Sequence, residues 1–494
     1  MDMTTSATIW FAIALASVIT VITKVAIGRR TTTVASDSHL PHPPVVNGVS
    51  TIVVLYAFLT KGFRSTLRGL HTKLGSVFTV SFFGFKLTFL VGPEVSAHFY
   101  QGSDLEISHG NILEFTVPII GKEVGYGTDA ATRNDQHRFF HDVLKPSKVG
   151  SRIGPMTEEV QDYFAKWGEE GVVDLKQEFE QLLILISGRC LIGKEVRQKM
   201  YSEFFTLFGE LIGNGMCLIN VFLPYAPTLA CRRRDMARAN LSELFSKIVR
   251  SRKSTSVVEK DVLQSLIDSK YRDGKSTTEA QVIGMMISLL FAGKHTSSIT
   301  STWTGAHLLT DARSLKAVVN EQSEIMSKYG DLIDYNVLLQ MNILHFCIKE
   351  ALRMHPPSPV LVRKVHKNFS VRTKEGSEYE IPRGHTIASP TLYNSNIPDI
   401  YRDPNMYDPD RFGPARAEDT VGGKFSYTAF SGGRHACPGE ALAYVQIKVI
   451  WSHLLRNFEL KLLSPFPESD WWKIIVEPKG KVIVSYKRQQ LCSS

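Results

Sequence analysis

The sequence is poor in cysteine, and none of its cysteines is spaced for metal or disulfide chemistry. Six are scattered through 494 residues (Cys190, Cys217, Cys231, Cys347, Cys437 and Cys492). No two form the C-x-x-C pair of a zinc site, and the density is too low for a disulfide scaffold. The body therefore belongs in a reducing compartment. A long basic tail is also missing. The net charge of +9 is dispersed, its sharpest cluster being Arg232-Arg233-Arg234, which argues against nucleic acid as a partner. Acidic lipid or an acidic protein surface suits such a balance better. There is no internal repeat or low-complexity tract. With 43% hydrophobic and 21% charged residues, the chain is globular with a sizeable core.

One stretch lacks charge altogether. From Met3 to Thr23 no residue is ionisable, and Lys24, Arg29 and Arg30 follow. About 20 apolar residues span a bilayer, and the flanking cations place the body on the cytosolic side. A cleaved signal peptide would need a basic start, which is absent. Residues 1–30 are thus expected to be a membrane anchor and 31–48 a polar, proline-rich hinge containing LPHPPVVNG. Residues 49–494 form the remaining domain. The apolar run Val49–Leu59 is too short to span and reads as a core or surface-dipping helix.

Beyond the hinge the periodicity predicts a mainly α body with short strands near Val77–Phe83, Lys86–Val91, Phe369–Thr373 and Ile474–Ser485. One helix stands out. Thr278 and Gln281 have capping-box spacing, and no proline follows until well past Thr310. Its first half, VIGMMISLLFA, is apolar on every side, as in a buried helix. Ala292-Gly293-Lys294-His295-Thr296-Ser297 then interrupts it. Small residues there let a molecule approach the backbone, Thr296 can bond back to residue 292 and bend the helix, and an imidazole beside a hydroxyl suits a proton relay. A solvent-facing polar stripe is the plainer reading.

Three further elements carry little alone. Glu350 and Arg353 stand three apart on a helix ended by Pro356-Pro357, an ordinary surface pair in isolation. DPDRF supplies Arg411, which can join them. FSGGRHACPGE sets Cys437 among glycines ahead of a helix, where free N–H groups and the helix dipole favour a thiolate. A buried free cysteine in a turn is the alternative.

Taken in order, Phe430-x-x-Gly433-x-His435-x-Cys437-x-Gly439, Glu350-x-x-Arg353, Pro409-Asp410-Arg411-Phe412 and Ala292-Gly293-x-x-Thr296 resemble the cytochrome P-450 family across nearly the whole chain. The resemblance implies a mainly α fold with small β-sheets, the triangular prism of that family. It also implies haem b with Cys437 as axial ligand, activation of O2, and electrons from an NADPH–cytochrome P-450 reductase in the endoplasmic reticulum membrane. Arg138, Arg363, His435, Tyr126 and Gly433 would surround the haem, Thr296 and His295 would serve catalysis, and Glu350, Arg353 and Arg411 would form a structural charge network. Histidine before the threonine is typical of sterol 14α-demethylases, and FCIKEALRMHPP and WSHLLRNFEL look like their plant branch.

The segment PIIGKEVGYG departs from that branch at Ile120, Glu123 and Gly127, as do Lys294 and Ser358-Pro359-Val360. Ile120, Tyr126, Ala292 and Val360 would line the substrate. The departures lead to the expectation of a triterpene of β-amyrin type, oxidised by C16β hydroxylation and 12,13β-epoxidation in avenacin-like defence-saponin synthesis. The alternatives are 14α-demethylation of obtusifoliol and a non-catalytic haem or sterol carrier.

Overall fold

The computed structural model describes residues 40–82, 84–193, 201–254 and 261–489. The anchor, the first half of the hinge (31–39) and Cys492 lie outside these residues. The five described cysteines are free thiols.

Two compact units make up the chain: residues up to His109 with Val362–Ser389, and Gly110–Leu361 with Pro390 onward. The first is built on a mixed sheet of six strands, in the order Val45–Val46, Val77–Phe82, Phe85–Leu90, Thr386–Ser389, Leu361–Val365 and Ile107–Ser108. Val77 faces Leu90 across the antiparallel pair, and Leu87 faces Thr386 across the parallel one. The described part of the proline-rich stretch is tied to the sheet. The Pro41 carbonyl accepts the Glu380 N–H at 3.0 Å, Pro44 accepts that of Thr79 at 2.8 Å, and Val45–Val46 adds an edge strand. Proline suits such an edge because it has no N–H to leave unpaired. The folded unit therefore includes Pro41 and Pro44.

Helix Val49–Thr60 leaves Val49, Ile52, Val53, Tyr56 and Leu59 exposed. Their spacing makes one apolar stripe, as expected of a surface-dipping helix. The expected strand at 474–485 is shorter: Ile483–Arg488 is paired, with Glu477–Pro478 in a separate two-stranded hairpin.

The second unit is helical and packs around Glu279–Leu308. The capping box is present: Thr278 Oγ1 accepts from Gln281 N at 3.1 Å, and Gln281 Oε1 accepts from Thr278 N at 2.9 Å. The helix runs 30 residues, or about 45 Å. Among the described residues it alone is long and apolar enough to cross a membrane, yet most of it is buried in the core. Its second half, TSSITSTWTGAH, can be buried because the hydroxyls of Thr296, Thr300, Thr302 and Thr304 each donate to the carbonyl four residues back, leaving no orphan donor on these threonines.

Two glycines let neighbours approach this helix closely. A Cβ on Gly305 would stand 2.5 Å from the Trp451 ring, and one on Gly284 would stand 2.4 Å from the Ile120 carbonyl oxygen. Gly284→Ala should therefore push the 117–125 segment away and cost about 1–3 kcal/mol, read as a lowered melting temperature. An unchanged melting temperature would refute the close contact.

Burial also sets the acid stability. His307 and His345 are pushed down to about 3, and His385 and His453 to about 4, in each case chiefly by desolvation. A histidine held neutral in the fold takes up its proton more readily when unfolded. The stability it contributes is present above pH 6.5 and lost as pH falls toward the folded value. The melting temperature should fall steadily from pH 6.5 to pH 4.5, and His307→Gln should flatten the slope.

Candidate active site

The site is assembled in the second unit from a helix that ends a charge network, a loop that presents a thiol, and the central helix. Helix Asn342–Met354 buries Glu350 and Arg353 completely. Arg353 Nε donates to Glu350 Oε2 at 2.7 Å, and its Nη2 to Oε1 at 2.8 Å. Arg411, on the turn Pro409–Phe412, donates from Nε to Glu350 Oε1 at 2.9 Å and is equally buried. Residues without a motif complete the set. Glu418 accepts from Arg411 Nη1, and the carbonyls of Ser395, Pro404 and Arg402 take further guanidinium protons. Two carboxylates and two guanidinium groups cancel in charge, and each finds several partners. That arrangement offsets the desolvation of buried ions.

This network ties the 391–418 stretch to its helix, and tyrosines carry the tie toward the thiol loop. Tyr401 donates to the Ser426 carbonyl at 2.9 Å and Tyr427 to that of Lys349 at 3.1 Å. Next comes Phe430, packed on Tyr444, whose carbonyl accepts the Cys437 N–H at 2.9 Å. The loop can fold back this tightly because Gly433 sits at φ +60°, where glycine carries no Cβ penalty. Cys437 stands just ahead of helix Glu440–Asn457, with Gly439 as its N-cap. A Cβ on Gly439 would lie 3.7 Å from the sulfur, so that residue's bare backbone flanks it. Burial pushes the Cys437 thiol up from its ordinary range, while the Gly439 N–H pulls it back. The residue as a whole is exposed, although protein crowds its thiol. His435 lies half-buried on the same turn, Gly433–His435.

The central helix is bonded to the cysteine helix. Ser297 Oγ donates to Gln446 Oε1 at 3.2 Å and Trp451 Nε1 to the Ser301 carbonyl at 3.2 Å. Thr296 Oγ1 donates back to the Ala292 carbonyl at 2.7 Å, the bond expected to bend the helix. A Cβ on Gly293 would meet nothing within 4 Å. His295 is half-buried and held below its ordinary range, first by burial and then by Lys294, against Glu477 and Glu180.

The remaining predicted residues are less tightly gathered. Ile120 is buried at the end of helix Val117–Ile120, its carbonyl held by Arg238 at 3.0 Å. Tyr126, on the turn Gly125–Gly127, lies under Arg133. Arg138 is turned to Asp135, the Lys270 carbonyl and the Phe139 ring. Val360 is half-buried, in a loop pinned by Val476 N–H on the Pro357 carbonyl and Leu392 N–H on that of Pro359. Arg363 belongs to the other unit, where it is buried beside His109 and over the Phe99 ring.

An exposed cysteine with glycine backbone around it, at the start of a helix bonded to the central helix, has the donor set of a haem-thiolate protein. Gly439 offers an N–H to the sulfur, and Gly293 leaves open space on the central helix, so the residues present fit a haem. The comparisons agree: the cytochrome P450 family profile matches residues 41–485, and the chain belongs to that family. An obtusifoliol 14-alpha demethylase from Sorghum bicolor is 49% identical over 91% of this chain and 91% of its own length. A sterol 14-demethylase from Arabidopsis thaliana is likewise 49% identical, over 91% and 92%. A lanosterol 14-alpha demethylase from Homo sapiens is 32% identical over 86% and 82%. Among solved structures, the retinoic-acid-bound cyanobacterial CYP120A1 superposes with a TM-score of 0.77, covering 92% of this chain and all of that one at 21% identity, which shows the shared fold. The protein is a P450 mono-oxygenase that uses haem iron on a cysteine thiolate, O2 and reductase-supplied electrons.

The expected triterpene oxidation is overturned. Three relatives that match nine-tenths of the chain are obtusifoliol or sterol 14-demethylases, and the departures have local packing reasons. Glu123 accepts the Thr278 hydroxyl at 2.8 Å beside the N-terminus of the central helix, where a negative charge is favoured. Ile120 is core, and Lys294 pairs with Glu180 at 3.4 Å. A non-catalytic carrier is set aside with it.

Cys437→Ala should abolish the red-shifted carbon-monoxide absorbance of the reduced protein; a normal spectrum would remove the ligand assignment. Glu350→Ala, which leaves two guanidinium groups facing each other, should cost about 3–5 kcal/mol and yield mostly haem-free protein.

Proposed function

We propose that the protein removes the 14α-methyl group of obtusifoliol or of a sterol of the same shape. The observation that carries this is the relation to plant obtusifoliol and sterol 14-demethylases along nine-tenths of the chain, beside the Thr296–Ala292 bond of the central helix and the cysteine loop. The haem, once bound through Cys437, supplies oxygen activation. The chain's own residues supply the rest. Tyr126, Ala292 and Val360 shape the wall against which a rigid polycycle is posed, and pose decides which carbon is presented. Thr296 would hold a proton at its hydroxyl for the oxygen chemistry that the haem would supply, and His295 would replenish it. Tyr126, Arg138, His435 and Gly433 take part in seating the cofactor.

The charge-free run Met3–Thr23 anchors the chain in the endoplasmic reticulum membrane with the body in the cytosol. The exposed stripe of helix Val49–Thr60 then rests on the bilayer surface. A sterol dissolved in that bilayer and a membrane-bound reductase both reach the protein there.

The test is a binding titration of the haem-loaded protein. Obtusifoliol should produce a saturable shift of the haem absorbance band at micromolar concentration. A saturable shift with β-amyrin and none with obtusifoliol would overturn the proposal.

A further inference from the structure

The sheet of the first unit carries a buried histidine that the haem chemistry does not use. His385 stands one residue ahead of the strand Thr386–Ser389. Leu87 pairs with Thr386 across the parallel ladder, so the residues before them, Lys86 and His385, are neighbours. On the other side the Val365 N–H donates to the His385 carbonyl at 2.9 Å. The residue is 6% exposed. Its Nδ1 lies 2.9 Å from Thr88 Oγ1, which lies 2.9 Å from Thr79 Oγ1, both threonines being fully buried. Its Nε2 is buried with no hydrogen-bond partner among the described residues. Such an atom is costly, and it calls for a partner that the fold is built to receive. The charges that bear on the ring are those of Lys86, His42 and Lys364, and each opposes its protonation. Lys364 is held by the Gly384 carbonyl at 2.7 Å. Lys86 and His42 are exposed, His42 meeting the Glu380 carbonyl through Nδ1 at 3.4 Å.

We propose that His385, Lys86 and His42 form a binding site for the phosphate group of an anionic phospholipid, with His385 as its floor and the other two as its rim. When the hydroxyl chain runs from Thr79 through Thr88 to Nδ1, the ring proton sits on Nε2. A phosphate oxygen is then the acceptor that this N–H lacks, and Lys86 and His42 supply charge to the remaining oxygens. The lipid source follows from what lies beside the site. Ser81 faces Lys86 across the hairpin, and its carbonyl accepts the Thr51 hydroxyl at 2.9 Å. Thr51 belongs to helix Val49–Thr60, where Val49, Ile52 and Val53 are exposed. The first turn of the apolar stripe is therefore tied to the strand next to that of Lys86, so acyl chains and a headgroup phosphate are met by one unit together. The inference rests on the reading above that this helix lies on the bilayer surface.

The test uses the full-length, haem-loaded protein in non-ionic detergent, reduced and bound to carbon monoxide, with histidine labelled at Cε1 for NMR. The His385 signal is identified by its loss in His385→Gln. Dihexanoylphosphatidylglycerol, dihexanoylphosphatidylcholine and inorganic phosphate are titrated separately. The phosphatidylglycerol should shift that signal saturably and bind about fivefold more tightly than either of the others. Lys86→Gln should weaken it about fivefold, the worth of one lysine at an anionic lipid surface. Lys316→Gln, which alters an exposed lysine of the other unit, should leave it unchanged. Should Lys86→Gln not take up haem, His42→Gln is expected to show the same loss. Equal binding of inorganic phosphate would make this a free-anion site and overturn the lipid source. Equal binding of the choline lipid, an equal loss in Lys316→Gln, or no shift with any of the three would overturn the site itself. The titrations need no bilayer. In vesicles, full reaction of the exposed Tyr56 with hydroxyl radicals would remove the reading that its helix rests on the bilayer, while a shift selective for phosphatidylglycerol would leave this site standing.

Discussion

The Glu350 carboxylate, fully buried between Arg353 and Arg411, is the constraint on which the catalytic unit depends. A lone carboxylate taken out of water costs several kcal/mol, so the fold has to bring both guanidinium groups to it. Arg353 arrives on the same helix, but Arg411 comes from 61 residues on. Meeting that requirement fixes the course of the intervening chain. Glu418 and the carbonyls of Ser395, Arg402 and Pro404 then take up the remaining donors. The stretch so fixed leads through Tyr401 and Tyr427 into the loop that holds Cys437. Buried electrostatics thus determine where the sulfur stands.

The central helix poses the opposite problem. Its first half is apolar and needs only packing, which Gly284 allows by bringing the 117–125 segment into contact. Its second half is rich in hydroxyls that burial would penalise, and each threonine answers by bonding within the helix. Between the halves Thr296 turns to the Ala292 carbonyl, and His295 faces a charge cluster drawn from two other elements.

Much of this was legible in the residues alone, because spacing along one helix or loop is a local property. The capping box at Thr278 and Gln281, the i, i+3 pair Glu350 and Arg353, and the glycine-flanked Cys437 all fall in this class. Glu418, Arg238 and Glu477 were not legible. Their partners are 7, 118 and 182 positions away, counted from Arg411, Ile120 and His295, and no pattern announces such pairs. The substrate expectation failed for a related reason. Ile120, Glu123 and Lys294 depart from the plant pattern, and against that resemblance Ile120 and Glu123 looked like changes to the pocket, with the role of Lys294 left open. In the fold, Ile120 packs in the core, Glu123 bonds Thr278 and Lys294 bonds Glu180, so the departures are accommodated by neighbours. The proline-rich stretch is similar: its extended form was legible, its pairing with Thr79 and Glu380 was not.

The most direct measurement of the central claim is turnover. The full-length protein, reconstituted with a plant reductase in lipid vesicles, is given obtusifoliol and NADPH, and the products are read by mass spectrometry. The account predicts a sterol that has lost its C-14 methyl group, formed only with NADPH and not by the Cys437→Ala protein. Recovery of intact obtusifoliol from a preparation with a normal carbon-monoxide spectrum would contradict it.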